Sequence, residues 1–392
     1  MSARFNNRLA LVLAACLSSA PMLAQEQLQI PRERVFSFDM LIDPVSQVVP
    51  GNTGGAGVAW TATVRSRFLQ GGGLDGIRIH VRLDSPLAVG QRLRVLDASG
   101  TEVDDISGSS TTVVSEFWSR DTPDGEAVVE LSRAAGGAAP GAAISYAYQV
   151  TPTEKQSISG KYQLIWAVDG PARFRKLGKS VARLRFMVDG QGQATCTAFL
   201  VGARLALTNQ HCISNDRERA SALVDFNYDN DDSRLTGIRV AAMAASSASL
   251  DYALLKLAAD PPAGSGRLYF VPVGWQWIAP PAPHNLVVVQ HPSGQPKRMS
   301  IADCHLAGLD RVGVSAGDRS DFGHFCDTLG GSSGSPILDW NSGLVVGLHH
   351  FGFPAGTNDP VNQGVVHARI LADILQQDKA AHAEMVQPRP TP

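Results

Sequence analysis

Short runs that alternate apolar and polar positions organise the first part of this chain. Ile77-Arg78-Ile79-His80-Val81-Arg82-Leu83 keeps the two-residue period of a half-buried strand, and Gln91 to Leu96 keeps it more loosely. Gly71-Gly72-Gly73, Ala98-Ser99-Gly100 and Asp121 to Gly125 read as the turns between such runs. Residues 25–150 are therefore expected to form a small, β-sandwich-like N-terminal domain. Within it, Ala134 to Ala143 reads as a long hairpin loop. The stretch 151–179 is polar, then basic, with Arg173, Arg175, Lys176 and Lys179, and is expected to be a solvated, easily nicked linker.

From Val181 the strand pattern resumes as apolar runs between Gly-, Asn- and Asp-rich turns, among them Leu184 to Val188, Leu286 to Val289 and Leu344 to Leu348. The one convincing helical pattern runs from Val366 to about Lys379 and ends a second domain over residues 180–378. Residues 379–392 are expected to be a disordered tail. The fold class is all-β.

Composition narrows the function. A chain that is 44% hydrophobic and 18% charged is globular. Its 34 Lys and Arg stand against 36 Asp and Glu, so nothing in the balance asks for nucleic acid or an anionic membrane. Arg4 and Arg8 precede the apolar run Leu9 to Leu17, and small residues follow to Ala24. That is the layout of a signal peptide over residues 1–24, too short to span a membrane, and it implies a secreted or periplasmic protein. Leu13-Ala14-Ala15-Cys16 also resembles a lipoprotein cleavage box, which makes an outer-membrane lipoprotein anchored at Cys16 the alternative.

Without Cys16 four cysteines remain, an even number that reads as two disulfides in an exported chain. No CxxC pair or tight His/Cys cluster argues for a metal, and no cofactor is expected. Of the three pairings, Cys196–Cys212 and Cys304–Cys326 each close a short local loop and are preferred.

Three local contexts carry the candidate chemistry. Cys196 to Val201 and Leu205 to Cys212 read as two strands joined by a Gly-Ala-Arg turn, with His211 beside the second cysteine. Asp251 opens the apolar run Tyr252 to Leu257, 40 residues after His211. Gly330-Gly331-Ser332-Ser333-Gly334-Ser335-Pro336 precedes the strand residues Ile337-Leu338. Acyl transfer by serine needs a base for the hydroxyl proton, an acceptor that holds the base's tautomer, and donors for the oxyanion. His211, Asp251 and Ser333 supply these in one of the known chain orders, with the N–H groups of Gly331 and Ser333 as the oxyanion donors.

At these motifs residues 180–378 resemble the chymotrypsin-fold, trypsin-like serine peptidases, and most of all their bacterial glutamyl endopeptidase branch. The resemblance is carried by Leu207-Thr208-Asn209-Gln210-His211, Asp251-Tyr252-Ala253-Leu254-Leu255, Gln290-His291-Pro292-Ser293-Gly294, Asp327 to Pro336 and Gly347-Leu348-His349. It implies two six-stranded antiparallel barrels with the site between them, and protein or peptide substrates. In digestive relatives an aspartate precedes the nucleophile and captures a new N-terminus on activation. Here that residue is the uncharged Ser332, so control is expected from a pro-region or inhibitory N-terminal domain, as in a zymogen.

For substrate preference, Thr328 and His349 match the positions that bind the substrate carboxylate in glutamyl endopeptidases. The rival is Asp327, which in trypsin-like enzymes receives Lys or Arg. The acidic preference is taken, with Asp327 as a structural residue. A catalytically silent homologue acting in binding or adhesion is the alternative function. The remaining signals read as structural. Asp225, Asp229, Asp231 and Asp232 suit an acidic solvated loop better than a calcium site, and His291 a surface loop before proline. His80 reads as a cross-strand residue and Trp275 and Trp277 as packing, while His305 and His324 receive no role.

Overall fold

The computed structural model describes residues 37–52, 57–66, 76–122, 125–133, 138–149, 156–157, 163–230, 237–272, 286–315, 318–352 and 361–389. The expected leader, Cys16, Ala134 to Gly137, Asp231, Asp232, Trp275 and Trp277 lie outside them.

The N-terminal region holds β1 (Ser37–Val49), β2 (Val58–Arg65), β3 (Ile77–Leu83), β4 (Arg92–Asp97), β5 (Glu102–Ser107), β6 (Glu116–Thr122), β7 (Glu126–Ser132) and β8 (Ala142–Gln149). The short β9 (Gln156–Ser157) and β10 (Ile165–Trp166) and helix α1 (Ala172–Gly178) follow. Then come β11 (Val181–Val188), β12 (Gly192–Leu200), β13 (Leu205–Thr208), α2 (Asp216–Ser221), β14 (Leu223–Asp225), β15 (Ile238–Ser247) and β16 (Tyr252–Leu257). The last third holds β17 (Leu286–Gln290), β18 (Arg298–Ser300), β19 (Leu306–Arg311), β20 (Asp321–His324), β21 (Thr328–Leu329), β22 (Pro336–Asp339), β23 (Val345–Phe351), β24 (Asn362–Val366), α3 (His367–Gln377) and α4 (Lys379–Met385).

Strands β11-β14-β15-β16-β13-β12 follow one another, and β11 also pairs with β12, so these six close into a barrel. Closure leaves no free edge and buries both faces of β11 and β12, so even their alternating polar residues Arg183, Arg185, Gln193, Thr195 and Thr197 are buried. The second sheet has the order β10-β18-β17-β22-β23-β24-β20-β19. Phe199, Leu207, Tyr252 and Leu254 from the first barrel and Val287, Val289, Leu338 and Leu348 from the second share one core, onto which α3 adds Ile370 and Ile374. Each fully buried side chain of this size contributes about 1.5–3 kcal/mol.

The N-terminal region is sandwich-like, but it is not a separate body. Its sheet β2-β7-β4-β5 packs on β1-β8-β3-β6, and β1 pairs with both β8 and β12. One ten-stranded sheet therefore runs from the N-terminal region into the first barrel. The buried Arg78 guanidinium on β3 donates to Gln193 Oε1 at 2.6 Å and to the Ser221 carbonyl at 2.8 Å, both on the barrel side. Arg185 reaches Asp121 at 2.8 Å, and Arg239 pairs with Asp104.

Several expectations change. The basic stretch is not a solvated linker throughout, because residues 172–178 are helical and packed down. Phe174 is buried against Trp340, while Arg173 donates to the carbonyls of Trp340 and Asn341. Nor is the chain disordered from residue 379, since α4 extends to Met385, which is buried in the core. Asp225 is no solvated loop acid. Strand register sets Arg183 opposite it, and its buried carboxylate pairs with Arg183 and Arg185. Asp229 pairs with the buried Lys297. His291 is fully buried rather than on a surface loop, its Nδ1 3.0 Å from the Gln295 carbonyl. His80 is a cross-strand residue, bonded to Glu116 and Ser145 and stacked on Trp118.

Candidate active site

Ser333 reaches the first barrel through β12. On one edge of that strand β1 pairs with residues 193–195 and β13 with residues 199–200. Between them the N–H of Thr197 donates to the Ser333 carbonyl at 2.8 Å, and the Thr197 hydroxyl donates to the Gly331 carbonyl at 2.9 Å. The loop closes on itself as well, with the Ser332 N–H on the Leu329 carbonyl and the Leu329 N–H on Ser332 Oγ, each at 3.0 Å. Ser332 is thereby buried in its own turn.

Two glycines make this packing feasible. Gly334 has φ 87°, and a Cβ there would lie 2.0 Å from the Thr197 carbonyl oxygen. Gly331 has φ 92°, and its Cβ would meet the His291 carbonyl oxygen at 2.8 Å. The Gln290–Gly294 segment is the support on that side, with the Ser293 N–H on the Gly330 carbonyl. Neither the Gly331 nor the Ser333 amide donates to a backbone carbonyl among the described residues.

His211 stands next to the Cys196–Cys212 disulfide, which ties its loop to β12; a second bond joins Cys304 to Cys326. Cys196, His211 and Cys212 present three potential ligand atoms close together, but both sulfurs are spent in the disulfide. Asp251 accepts from the His211 backbone N–H on Oδ1 and faces ring Nδ1 with Oδ2, both at 2.8 Å. The aspartate adopts φ 47°, a left-handed conformation costly for a side-chain-bearing residue, and Asn209 holds it there by donating to its carbonyl at 2.8 Å. Burial works against the charge of Asp251, yet His211 and His350 hold its carboxyl well below the usual range. His211 Nε2 is buried without a hydrogen-bond partner among the described residues.

Residues 196–348 match the family of the trypsin-like peptidase domain. This part of the chain is a trypsin-like peptidase domain. Over 174 residues the chain is 30% identical to secreted RxLR effector protein 73 of Plasmopara viticola, covering 41% of this chain and 42% of that protein. An uncharacterised protein of Sinorhizobium fredii is 27% identical over 175 residues, covering 40% of this chain and 25% of its own length. The chain thus spans less than half the length of either curated relative. Among solved structures it is similar to a Glu endopeptidase, with 19% identity and a TM-score of 0.40, covering 57% of this chain and 99% of that one.

The peptidase domain buries Thr328 on β21 and His349 on β23. Thr328 sits opposite Ser157 of β9, so the segment joining the two regions flanks the Gly330–Pro336 loop. Asp327 Oδ2 accepts from the N–H of Gln163 at 3.0 Å, which commits that carboxylate to the joining segment. His349 Nδ1 lies 3.1 Å from His324 Nε2. Burial holds both histidines neutral, with His324 pushed down to about 3 by burial and by nearby His350. Sequence reasoning left His324 without a role, since nothing local signals a contact across 25 residues. It also missed His350 and Asp321, which pair behind Asp251.

Proposed function

We propose that this protein is a secreted serine endopeptidase that forms an acyl-enzyme on Ser333. The observation that carries the reading is the double hold of Asp251 on His211, which leaves Nε2 without a hydrogen-bond partner among the described residues. With Nδ1–H given to Asp251, Nε2 bears the lone pair that takes the Ser333 hydroxyl proton as Oγ attacks the scissile carbonyl. The amides of Gly331 and Ser333 receive the oxyanion. His211 then returns the proton to the leaving amine, and water repeats the sequence to release the acid. Asp251 remains a carboxylate and stabilises the imidazolium.

An acidic P1 side chain is the substrate preference we favour, bound by Thr328 and His349. A neutral, buried histidine offers an N–H to a carboxylate without first holding a competing anion. Residues 37–149 stay with the peptidase domain as a retained module. Removing them would strip β1 from β12 and leave Gln193 and the Ser221 carbonyl without Arg78. The two disulfides suit an extracellular or periplasmic setting. No helix among the described residues is long and apolar enough to cross a membrane.

The test is fluorophosphonate labelling of the purified protein and of Ser333→Ala, with cleavage of a diverse peptide library read by mass spectrometry. Label on Ser333 and cuts after acidic residues are expected. A wild type that neither labels nor cleaves, like Ser333→Ala, would make this a silent homologue that binds.

A further inference from the structure

A second histidine stands behind the first. His350 follows His349 on β23, and its side chain is completely buried. Its Nε2 lies 2.6 Å from Asp321 Oδ2, and its Nδ1 lies 3.4 Å from Asp251 Oδ2, the oxygen that also meets His211 Nδ1. Asp321, on β20, is itself buried and held in place. Ser320 Oγ donates to its Oδ1 at 2.8 Å, and the Gln363 amide, turned to satisfy its neighbours, donates to Oδ2 at 3.1 Å.

A neutral imidazole has one N–H to give, whereas an imidazolium has two. Between two buried carboxylates only the imidazolium places a donor on each. A neutral ring would keep its proton on the shorter contact to Asp321 and turn a lone pair toward Asp251. The other groups facing this pocket do not supply the missing charge. His349 and His324 are neutral by burial, and Phe351 packs its ring 3.9 Å from that of His350, centroid to centroid. His211 lies across Asp251 and must cycle between charge states under the proposed mechanism.

We propose that His350 is a positioning residue, held as an imidazolium between Asp251 and Asp321, which fixes the Asp251 carboxylate against His211. The inference rests on the reading of His211, Asp251 and Ser333 as the catalytic set. Burial pushes the His350 proton off, but Asp321 and Asp251 outweigh it and raise its titration to about 9. Activity should then fall on the alkaline side as that proton leaves and Asp251 loses one of its anchors.

The experiment combines ¹⁵N-histidine NMR of the wild type with kcat and KM profiles against pH for the wild type, Asp321→Asn and His350→Gln. Both ring nitrogens of His350 should be protonated at neutral pH. Each variant should lose about a hundredfold in kcat with KM little changed, the scale of a misplaced catalytic group. Asp321→Asn should move the alkaline limb to lower pH, and His350→Gln should abolish it. A wild type that labels with fluorophosphonate but carries a neutral His350 overturns the proposal alone, whether or not the variants fold. So do folded variants that keep the wild-type kcat and alkaline limb. A wild type that takes no label overturns the catalytic reading and this proposal with it.

Discussion

Asp251 holds His211 at two points, the backbone N–H on Oδ1 and ring Nδ1 on Oδ2, each at 2.8 Å. One carboxylate thus sets both the position of the loop and the tautomer of the ring. Asp251→Asn keeps the shape but presents an amide where an acceptor is needed. We expect kcat to fall about ten-thousandfold with the fold intact, as measured by peptide hydrolysis beside circular dichroism.

Specificity should respond to Thr328→Val and His349→Ala separately from catalysis. With fluorogenic peptides differing only at P1, each variant should lose about tenfold or more in kcat/KM for glutamate and little for uncharged residues, because a carboxylate loses a polar partner. Cleavage by the wild type only after Lys or Arg would instead sink the acidic assignment.

Arg78 joins the N-terminal sandwich to the barrel through a fully buried guanidinium. Arg78→Ala leaves Gln193 and the Ser221 carbonyl short of a charged donor and should cost about 3 kcal/mol or more. Chemical denaturation measures the loss.

The Cys196–Cys212 bond closes a loop with a sequence separation of 16 that carries the His211 turn. Replacing both cysteines by alanine should lower stability by about 3 kcal/mol, chiefly by freeing the unfolded chain. Activity should fall as well, because His211 follows the freed loop. Denaturant melts and kcat report the two effects independently.

Stability should pass through a maximum near neutral pH. His350 titrates at about 9 in the folded protein against an ordinary value of 6.5, so its contribution is complete below 6.5 and lost as pH rises to about 9. His324 moves the other way, to about 3, so its contribution is complete above 6.5 and lost as pH falls toward 3. Calorimetric Tm against pH should decline on both sides, and His350→Gln should flatten the alkaline side alone.

Much of this was legible along the chain. The alternation of Ile77 to Leu83 predicted β3 because one face of that strand packs in the sandwich core. His211, Asp251 and Ser333 stood out through short local contexts that a sequence displays whole. The basic residues 172–178 were misread because three charged positions, Arg173, Arg175 and Lys176, hide a helix whose buried anchor is the single ring of Phe174. Asp225 and Asp251 look alike in sequence, each an acid beside an apolar strand. Register made the first a partner of two arginines and the second a partner of two histidines.

The sequence by itself determined the strand periodicity, the even set of cysteines, and the order and spacing of the candidate catalytic residues, all properties of neighbours along the chain. Only the tertiary structure decided that β1 would weld the N-terminal region to the barrel, that Asp327 would face the joining segment, and that His350 would sit between Asp251 and Asp321. Those outcomes depend on which distant groups are buried together. Burial sets the charge a histidine carries and the partner a carboxylate finds.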